Sequence, residues 1–134
     1  MKHNYSQKLL VAACIVTTLN FVSCGKYEEG PEFSIIPKKA RLTGEWEVVK
    51  VGDYNTDPSV SVILDFEKDG DFDYTYEYGS GYNYGYSGEW EWEDHKEIIE
   101  VELDGYVMDW EVLRLTNDEL WFEYDNEVWE CEKK

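Results

Sequence analysis

Residues 71–78 read DFDYTYEY, so that aromatic side chains alternate with acidic or polar ones. A period of two places alternate side chains on opposite faces of a β-strand. Asp69-Gly70, just before this stretch, suits a type I′ hairpin turn, which needs positive φ. Residues 59–67 on the other side of that turn alternate in the same way. The region therefore predicts an antiparallel hairpin with one apolar face and one acidic face.

The same alternation continues through the chain from Leu42 onward, with turn residues at the spacing typical of all-β domains. Eight strands are predicted, over residues 42–51, 59–67, 71–78, 86–93, 97–103, 106–115, 119–124 and 127–132. In the sixth, the alternation of Met108 and Trp110 slips before Leu115, which indicates a β-bulge. No segment has a helical period. We therefore predict an all-β fold, an eight-stranded antiparallel up-and-down meander that closes into a small barrel, because closure removes exposed strand edges.

The side chains expected inside this barrel are bulky. They are Trp46, Phe66, Phe72, Tyr74, Tyr76, Tyr78, Trp90, Trp92, Trp110, Phe122, Tyr124 and Trp129. An eight-stranded barrel has room for its own side chains or for one small ligand. Because the strands are short, we expect a filled lower barrel and a ligand site confined to a small aromatic mouth.

Residues 1–23 have the order of a secretory signal peptide. Lys2 and Lys8 give a basic start, and the apolar run LLVAACIVTTL follows over residues 9–19. The alternative, a membrane-spanning anchor, needs about 20 apolar residues, more than this run provides. We expect the segment to be removed on export.

The end of that segment, Phe21-Val22-Ser23-Cys24, resembles a lipobox, the site where bacterial lipoproteins are acylated on cysteine and cut before it. The resemblance implies lipidation of Cys24 and attachment to a membrane. Two or more acyl chains make a stable anchor, whereas one is marginal. Residues 24–41 would then form a lipidated tether to a domain over residues 42–134.

Six short motifs lie at strand starts, at turns and in the tether. They are Leu42, Gly44 and Trp46; Phe66, Asp69-Gly70 and Phe72; Ser87-Gly88-Glu89-Trp90; Leu113, Leu115-Thr116 and Leu120; Tyr27-Glu28-Glu29-Gly30-Pro31; and Lys38-Lys39-Ala40-Arg41. Together they resemble lipocalin-like (calycin-type) domain lipoproteins of the Bacteroidota. The resemblance implies an eight-stranded barrel and no particular ligand.

The residues after Cys24 bear on location. Gly25 follows the cysteine, where an aspartate would be the retention signal for the inner membrane in other bacterial lipoproteins. Glu28 and Glu29 resemble the acidic stretch of surface-exposed lipoproteins. We therefore expect an outer-membrane protein, lipid-anchored and either periplasmic or surface-exposed.

The chain is strongly acidic, with 30 acidic and 12 basic residues and a net charge of −18. Loss of Lys2 and Lys8 with the signal makes the mature chain two charges more acidic. Such a surface repels nucleic acid and anionic headgroups, so no nucleic-acid partner is expected. Once Cys14 is removed and Cys24 is lipidated, Cys131 has no partner for an internal disulfide, and we expect a buried thiol in a monomer.

Tyrosines alternate around a glycine-rich hairpin tip between residues 74 and 86. A tyrosine offers a flat apolar ring and a hydroxyl, which suits small amphipathic or glycan ligands. Tyr76, Tyr78, Tyr82 and Tyr84 are our candidate ligand-binding residues. The alternative is that the tyrosines of the first strand are core and the others are ordinary residues of a mobile hairpin.

Metal binding and catalysis have little support. Five carboxylates crowd one hairpin (Asp65, Glu67, Asp69, Asp71 and Asp73), but their order does not follow a calcium loop. His95 is the one histidine after the signal, and no phosphate loop, cysteine cluster or nucleophile elbow occurs in the sequence. We expect no metal, no cofactor and no catalytic residue.

These features predict a non-enzymatic binding or interaction domain on the bacterial envelope. Two alternatives stay open. The first is an inhibitor or surface-interaction protein that uses the acidic outer face. The second is a small hydrolase with a carboxylate pair, which spacing alone does not exclude among so many acidic residues.

Overall fold

The computed structural model describes residues 36–93, 95 and 97–134. The predicted signal peptide, the lipidation site Cys24 and most of the predicted tether lie outside these residues. The elements are α1 (Lys38–Leu42), β1 (Gly44–Val51), β2 (Tyr54–Asn55), β3 (Val60–Phe66), β4 (Asp71–Tyr78), β5 (Asn83–Glu93), β6 (Ile98–Leu103), β7 (Tyr106–Leu115), β8 (Glu119–Tyr124) and β9 (Glu127–Lys133). Within the described residues, no helix has the length and apolar character needed to cross a bilayer.

The sheet closes on itself. Strands β3 to β9 pair antiparallel with their neighbours in chain order, and β1 pairs with both β3 and β9. The two-residue strand β2 pairs only with the end of β1 and stands outside the ring. The predicted eight-stranded antiparallel meander, closed into a barrel, is therefore confirmed.

The alternation of the sequence sets the inside and outside of the barrel. The core contains Trp46, Phe66, Phe72, Trp90, Trp110 and Phe122, which come from six different strands. The bulge expected in the sixth predicted strand is present in β7, because the register with β8 shifts between Val112 and Arg114. A second bulge in β1, between Val48 and Lys50, had no visible signal in the sequence.

One prediction was wrong, because the segment that we expected to be free of helix contains a single helical turn, α1. Its residues (KKARL) favour helix, and the fixed φ of Pro37 suits the position before the first turn. Five residues are too few for a helical period to be seen. Gly44, with φ +114°, then turns the chain into β1.

Candidate functional site

The up-and-down topology gives the barrel two unlike ends. The base carries α1 and the turns β3–β4, β5–β6 and β7–β8. The mouth carries the hairpin turns β4–β5, β6–β7 and β8–β9. Any ligand must enter through an end or a gap in the wall, so the filling of each end decides where a site can be.

The base is filled. Trp46, Phe66 and Phe72 are fully buried there, with 0% exposure. Helix α1 covers this end, because the Trp46 indole N–H donates to the Leu42 carbonyl at 2.7 Å. The Lys133 ammonium lies 4.3 Å from the centre of the Trp46 ring. Burial lowers the pKa of Lys133, which donates a hydrogen bond of 2.5 Å to the Thr43 carbonyl.

The mouth contains an apolar pocket of about 200 Å³. Its lining is almost entirely hydrocarbon and aromatic ring, and it is formed by Tyr74, Leu103, Met108, Trp110, Phe122, Tyr124 and Trp129. Trp110 stacks on Phe122 with 4.5 Å between ring centroids, and Phe122 stacks on Trp129 at 5.8 Å. These three rings from adjacent strands give the pocket a flat aromatic wall. Its size and position agree with our expectation of a filled lower barrel and a small aromatic mouth.

Both tryptophans of the pocket lining carry donors that have no partner among the described residues. The indole nitrogens of Trp110 and Trp129 are buried and have no hydrogen-bond partner among the described residues. An unsatisfied buried donor costs roughly 1–3 kcal/mol. Because these nitrogens are inaccessible, they do not reach the surface of the pocket, which is almost free of polar atoms.

The tyrosines of the β4–β5 hairpin share the face of the sheet that lines the pocket. Tyr74 stands opposite Tyr86 and Tyr76 opposite Tyr84 in the register. Because directly paired residues in an antiparallel ladder project to the same side, all four lie on the concave face. Tyr82, at the tip, contacts Tyr78 with 5.9 Å between ring centroids.

The exposure of these tyrosines rises with distance from the pocket. Tyr74 is partly buried against the core, Tyr78 is 39% exposed and Tyr82 is 63% exposed. Tyr78 thus lies less deep than our list of interior residues implied. The candidate residues Tyr76, Tyr78, Tyr82 and Tyr84 stand above the pocket, and the pocket lining itself does not include them. Whether they bind a ligand stays a prediction.

Hydroxyl pairs connect the tyrosines. The Tyr74 hydroxyl donates to that of Tyr76 at 3.2 Å, and the Tyr84 hydroxyl donates to that of Tyr86 at 2.9 Å. Burial, followed by the hydrogen bond to Tyr76, raises the pKa of Tyr74. The concave face above the pocket is therefore aromatic and uncharged, with hydroxyls that can donate or accept.

The other candidate groups of the described chain are not part of the pocket lining. Cys131 is buried as expected, and burial raises the pKa of its thiol, which makes it unreactive. His95 is exposed. The carboxylates of Glu67, Asp69 and Asp71 lie within 4.8 Å of one another on the surface, and the charge of Asp69 raises the pKa of Glu67.

The sequence did not show which of the inward-facing residues line the pocket. Alternation did place Trp110, Phe122 and Trp129 inside the barrel. It did not show which inward side chains border empty space, and Leu103 and Met108 were ordinary apolar positions. A residue lines the pocket or belongs to the core according to its depth along the barrel axis. That depth depends on the strand register.

Comparison with known proteins supports the fold. No family model and no curated protein matches the chain. Among solved structures, a lipocalin-like protein from Bacteroides uniformis ATCC 8492 has a TM-score of 0.60 and 18% identity, over 70% of this chain and 99% of that one. An uncharacterized protein from Bacteroides eggerthii DSM 20697 also has a TM-score of 0.60, with 17% identity over 69% of this chain and 99% of its own. The chain therefore has the fold of a lipocalin-like β-barrel.

Proposed function

We propose that the protein is an outer-membrane lipoprotein whose barrel binds one small, mainly apolar ligand at the mouth, without catalysis. The observation that carries this proposal is the apolar pocket of about 200 Å³ at one end of a barrel whose other end is filled. Ligand sites in proteins are typically concave and apolar with a few polar groups, which describes this mouth.

The pocket limits the ligand. Drug-sized ligands occupy cavities of roughly 300–1,000 Å³, so this pocket takes a smaller molecule or the apolar end of a larger one. The stacked rings of Trp110, Phe122 and Trp129 favour a flat or aromatic group. A polar end of the ligand would meet the tyrosine hydroxyls above the pocket. An amphipathic molecule with one hydrophobic end satisfies both surfaces.

The neutral fluorophore N-phenyl-1-naphthylamine tests the pocket, because its emission rises in an apolar site and it has no charge to be repelled. We expect saturable binding by the protein. Met108→Trp places a large ring in the pocket and should weaken binding by at least tenfold. Val107→Trp is the matched control, because its side chain is 58% exposed on the neighbouring position of the same strand. Equal binding by both variants would contradict the pocket as the site.

The lipid anchor rests on Cys24, and its test is independent of the pocket. Cys24→Ala should abolish acylation and release the protein from membranes, because the acyl chains on this thiol are the proposed anchor. Acyl labelling with membrane fractionation measures both effects. Membrane retention of an unlabelled variant would contradict the anchor and leave the pocket proposal standing.

A further inference from the structure

Strand β5 extends five residues beyond its neighbour β6. The β5–β6 ladder begins at Gly88, paired with Leu103, and covers the base half of β5. Residues 83–87 pair only with β4, through the register that runs from Ser87 opposite Asp73 to Asn83 opposite Glu77. The barrel is closed, yet the mouth half of β5 is an edge strand.

This edge presents unpaired backbone groups. The Tyr78 N–H donates to the Tyr82 carbonyl, and the Trp90 N–H donates to the Gly70 carbonyl, so even-numbered β5 residues face β4. Because the direction alternates along an antiparallel strand, Asn83 and Gly85 direct their N–H and C=O groups, and Ser87 directs its N–H, to the uncovered side. All five residues from 83 to 87 are exposed.

The edge lacks the features that usually protect such strands. Natural edges are blocked by charged side chains, proline, bulges or a covering element. Residues 79–88 (GSGYNYGYSG) contain no charge and no proline, and the β4–β5 register runs through them without a shift. A regular, uncharged edge of this kind is a template for another strand.

The surroundings indicate which strand would fit. On the outer face, Asp73 stands beside the edge on β4 and accepts a hydrogen bond from the Ser87 hydroxyl, and Glu77 pairs with the Lys134 ammonium at 2.8 Å. The pair Glu89 and Glu102, which lies where the β5–β6 ladder begins, adds two more carboxylates. On the concave face, the edge carries the rings of Tyr84 and Tyr86, which are 46% and 38% exposed. A strand added here therefore meets carboxylates on one face and tyrosine rings on the other.

We propose that residues 83–87 of β5 accept an extended peptide by strand addition, with lysine or arginine at its outer-face positions and apolar residues at its concave-face positions. The peptide occupies the place that β6 would fill if it continued past Leu103, about 4.8 Å from β5. Backbone hydrogen bonds supply the affinity, and contacts with the carboxylates and the tyrosine rings supply the specificity. The inference does not depend on a ligand in the pocket.

Fluorescence anisotropy with the labelled peptide acetyl-Lys-Val-Lys-Tyr-Lys-Val-Lys-amide, at about 0.15 M salt, tests the proposal on the purified full chain. Ser87→Pro removes one edge N–H while leaving the β4 ladder intact, and we expect at least tenfold weaker binding. Ser87→Ala is the matched control, because it loses the same hydroxyl but keeps the N–H, and we expect binding within twofold of the native protein. A peptide with glutamate at each lysine position should not bind.

Further variants keep the test decisive. Asn83→Pro against Asn83→Ala repeats the comparison at the other end of the edge if Ser87→Pro does not fold. Met108→Trp should leave peptide binding unchanged, which separates the edge from the pocket. Equal binding by the proline and alanine variants would overturn the proposal, because charge attraction alone would explain it. A concentration-dependent dimer that Ser87→Pro abolishes, without peptide binding, would also overturn it and assign the edge to a second copy of the chain.

Discussion

The base and the mouth of the barrel are built from the same alternating strands, but only the base is completely filled. At the base, Trp46 and Phe66 are fully buried beneath α1. At the mouth, Tyr84 and Tyr86 are 46% and 38% exposed, although they lie on the concave face. A concave position in a short barrel is therefore not the same as a core position.

The physical reason is the coverage of each position by neighbouring strands. A residue is buried when strands flank it on both sides and side chains from the opposite wall reach it. The base has both, together with a covering helix. Where β5 extends beyond β6, residues of β5 have a neighbouring strand on one side only. Tyrosine tolerates the resulting exposure because its hydroxyl can be solvated. Stability should therefore be concentrated at the base and binding at the mouth.

Trp46→Ala should give the largest effect, because it empties the centre of the base. We expect a loss of about 3–5 kcal/mol in the free energy of unfolding. The substitution also removes the indole donor to Leu42 and the ring beneath Lys133. Urea denaturation followed by circular dichroism measures the loss. A change below about 1 kcal/mol would mean that the base does not hold the barrel together.

Gly88→Ala tests the boundary between the two regions, where β5 parts from β6. A Cβ at this position would overlap the Glu102 carbonyl oxygen, so the two backbones must separate. We expect a loss of about 1–3 kcal/mol, as for overpacking. Gly81→Ala is the comparison, because it strains the backbone at φ +83° without a steric clash. An added Cβ at Gly81 would meet no atom within 4 Å. A smaller loss for Gly88→Ala than for Gly81→Ala would argue against the close approach.

Asp65→Asn should give a smaller, stabilising effect near the base. Asp65 stands opposite both Glu45 and Asp73, and its pKa is raised, first by partial burial and then by the charge of Glu45. Relief of these like-charge pairs should add about 0.2–1 kcal/mol at neutral pH.

The effect of Asp65→Asn should depend on pH. Because the pKa of Asp65 is higher in the folded than in the unfolded state, the folded state binds this proton more tightly. The contribution of Asp65 to stability therefore becomes more favourable as the pH falls towards the ordinary aspartate pKa of 3.8. The advantage of Asp65→Asn should therefore shrink on acidification from neutral pH. Unfolding midpoints of the two proteins across this range measure it, and a constant difference would show that the carboxylate charge is not the cause.

Tyr82→Ala should have the smallest effect, because the ring is 63% exposed at the hairpin tip and contacts Tyr78. We expect a change within about 0.5 kcal/mol, which is typical of surface positions. Denaturant melts beside Trp46→Ala complete the comparison of mouth with base. Equal destabilisation by the two substitutions would show that the hairpin belongs to the core.

Much of the fold could be predicted from the sequence, because alternation and turn chemistry are local. The bounds of β4, β7 and β8 coincide with the predicted strands, and the bulge in β7 was visible as a slip in parity. The helix α1 was missed, since one turn carries no period. Strand β5 begins three residues earlier than predicted, because Tyr84 and Gly85 were assigned to the turn.

The sequence by itself determined which side chains share a face of each strand, where most of the turns lie, and how acidic the outer face is. These depend on residues one or two apart, whose geometry in a strand is nearly constant. Only the tertiary structure decided which inward side chains line the pocket and which β5 residues lack a neighbouring strand. Those properties depend on how far each strand runs past the next, and that offset is set by pairings between residues distant in the chain.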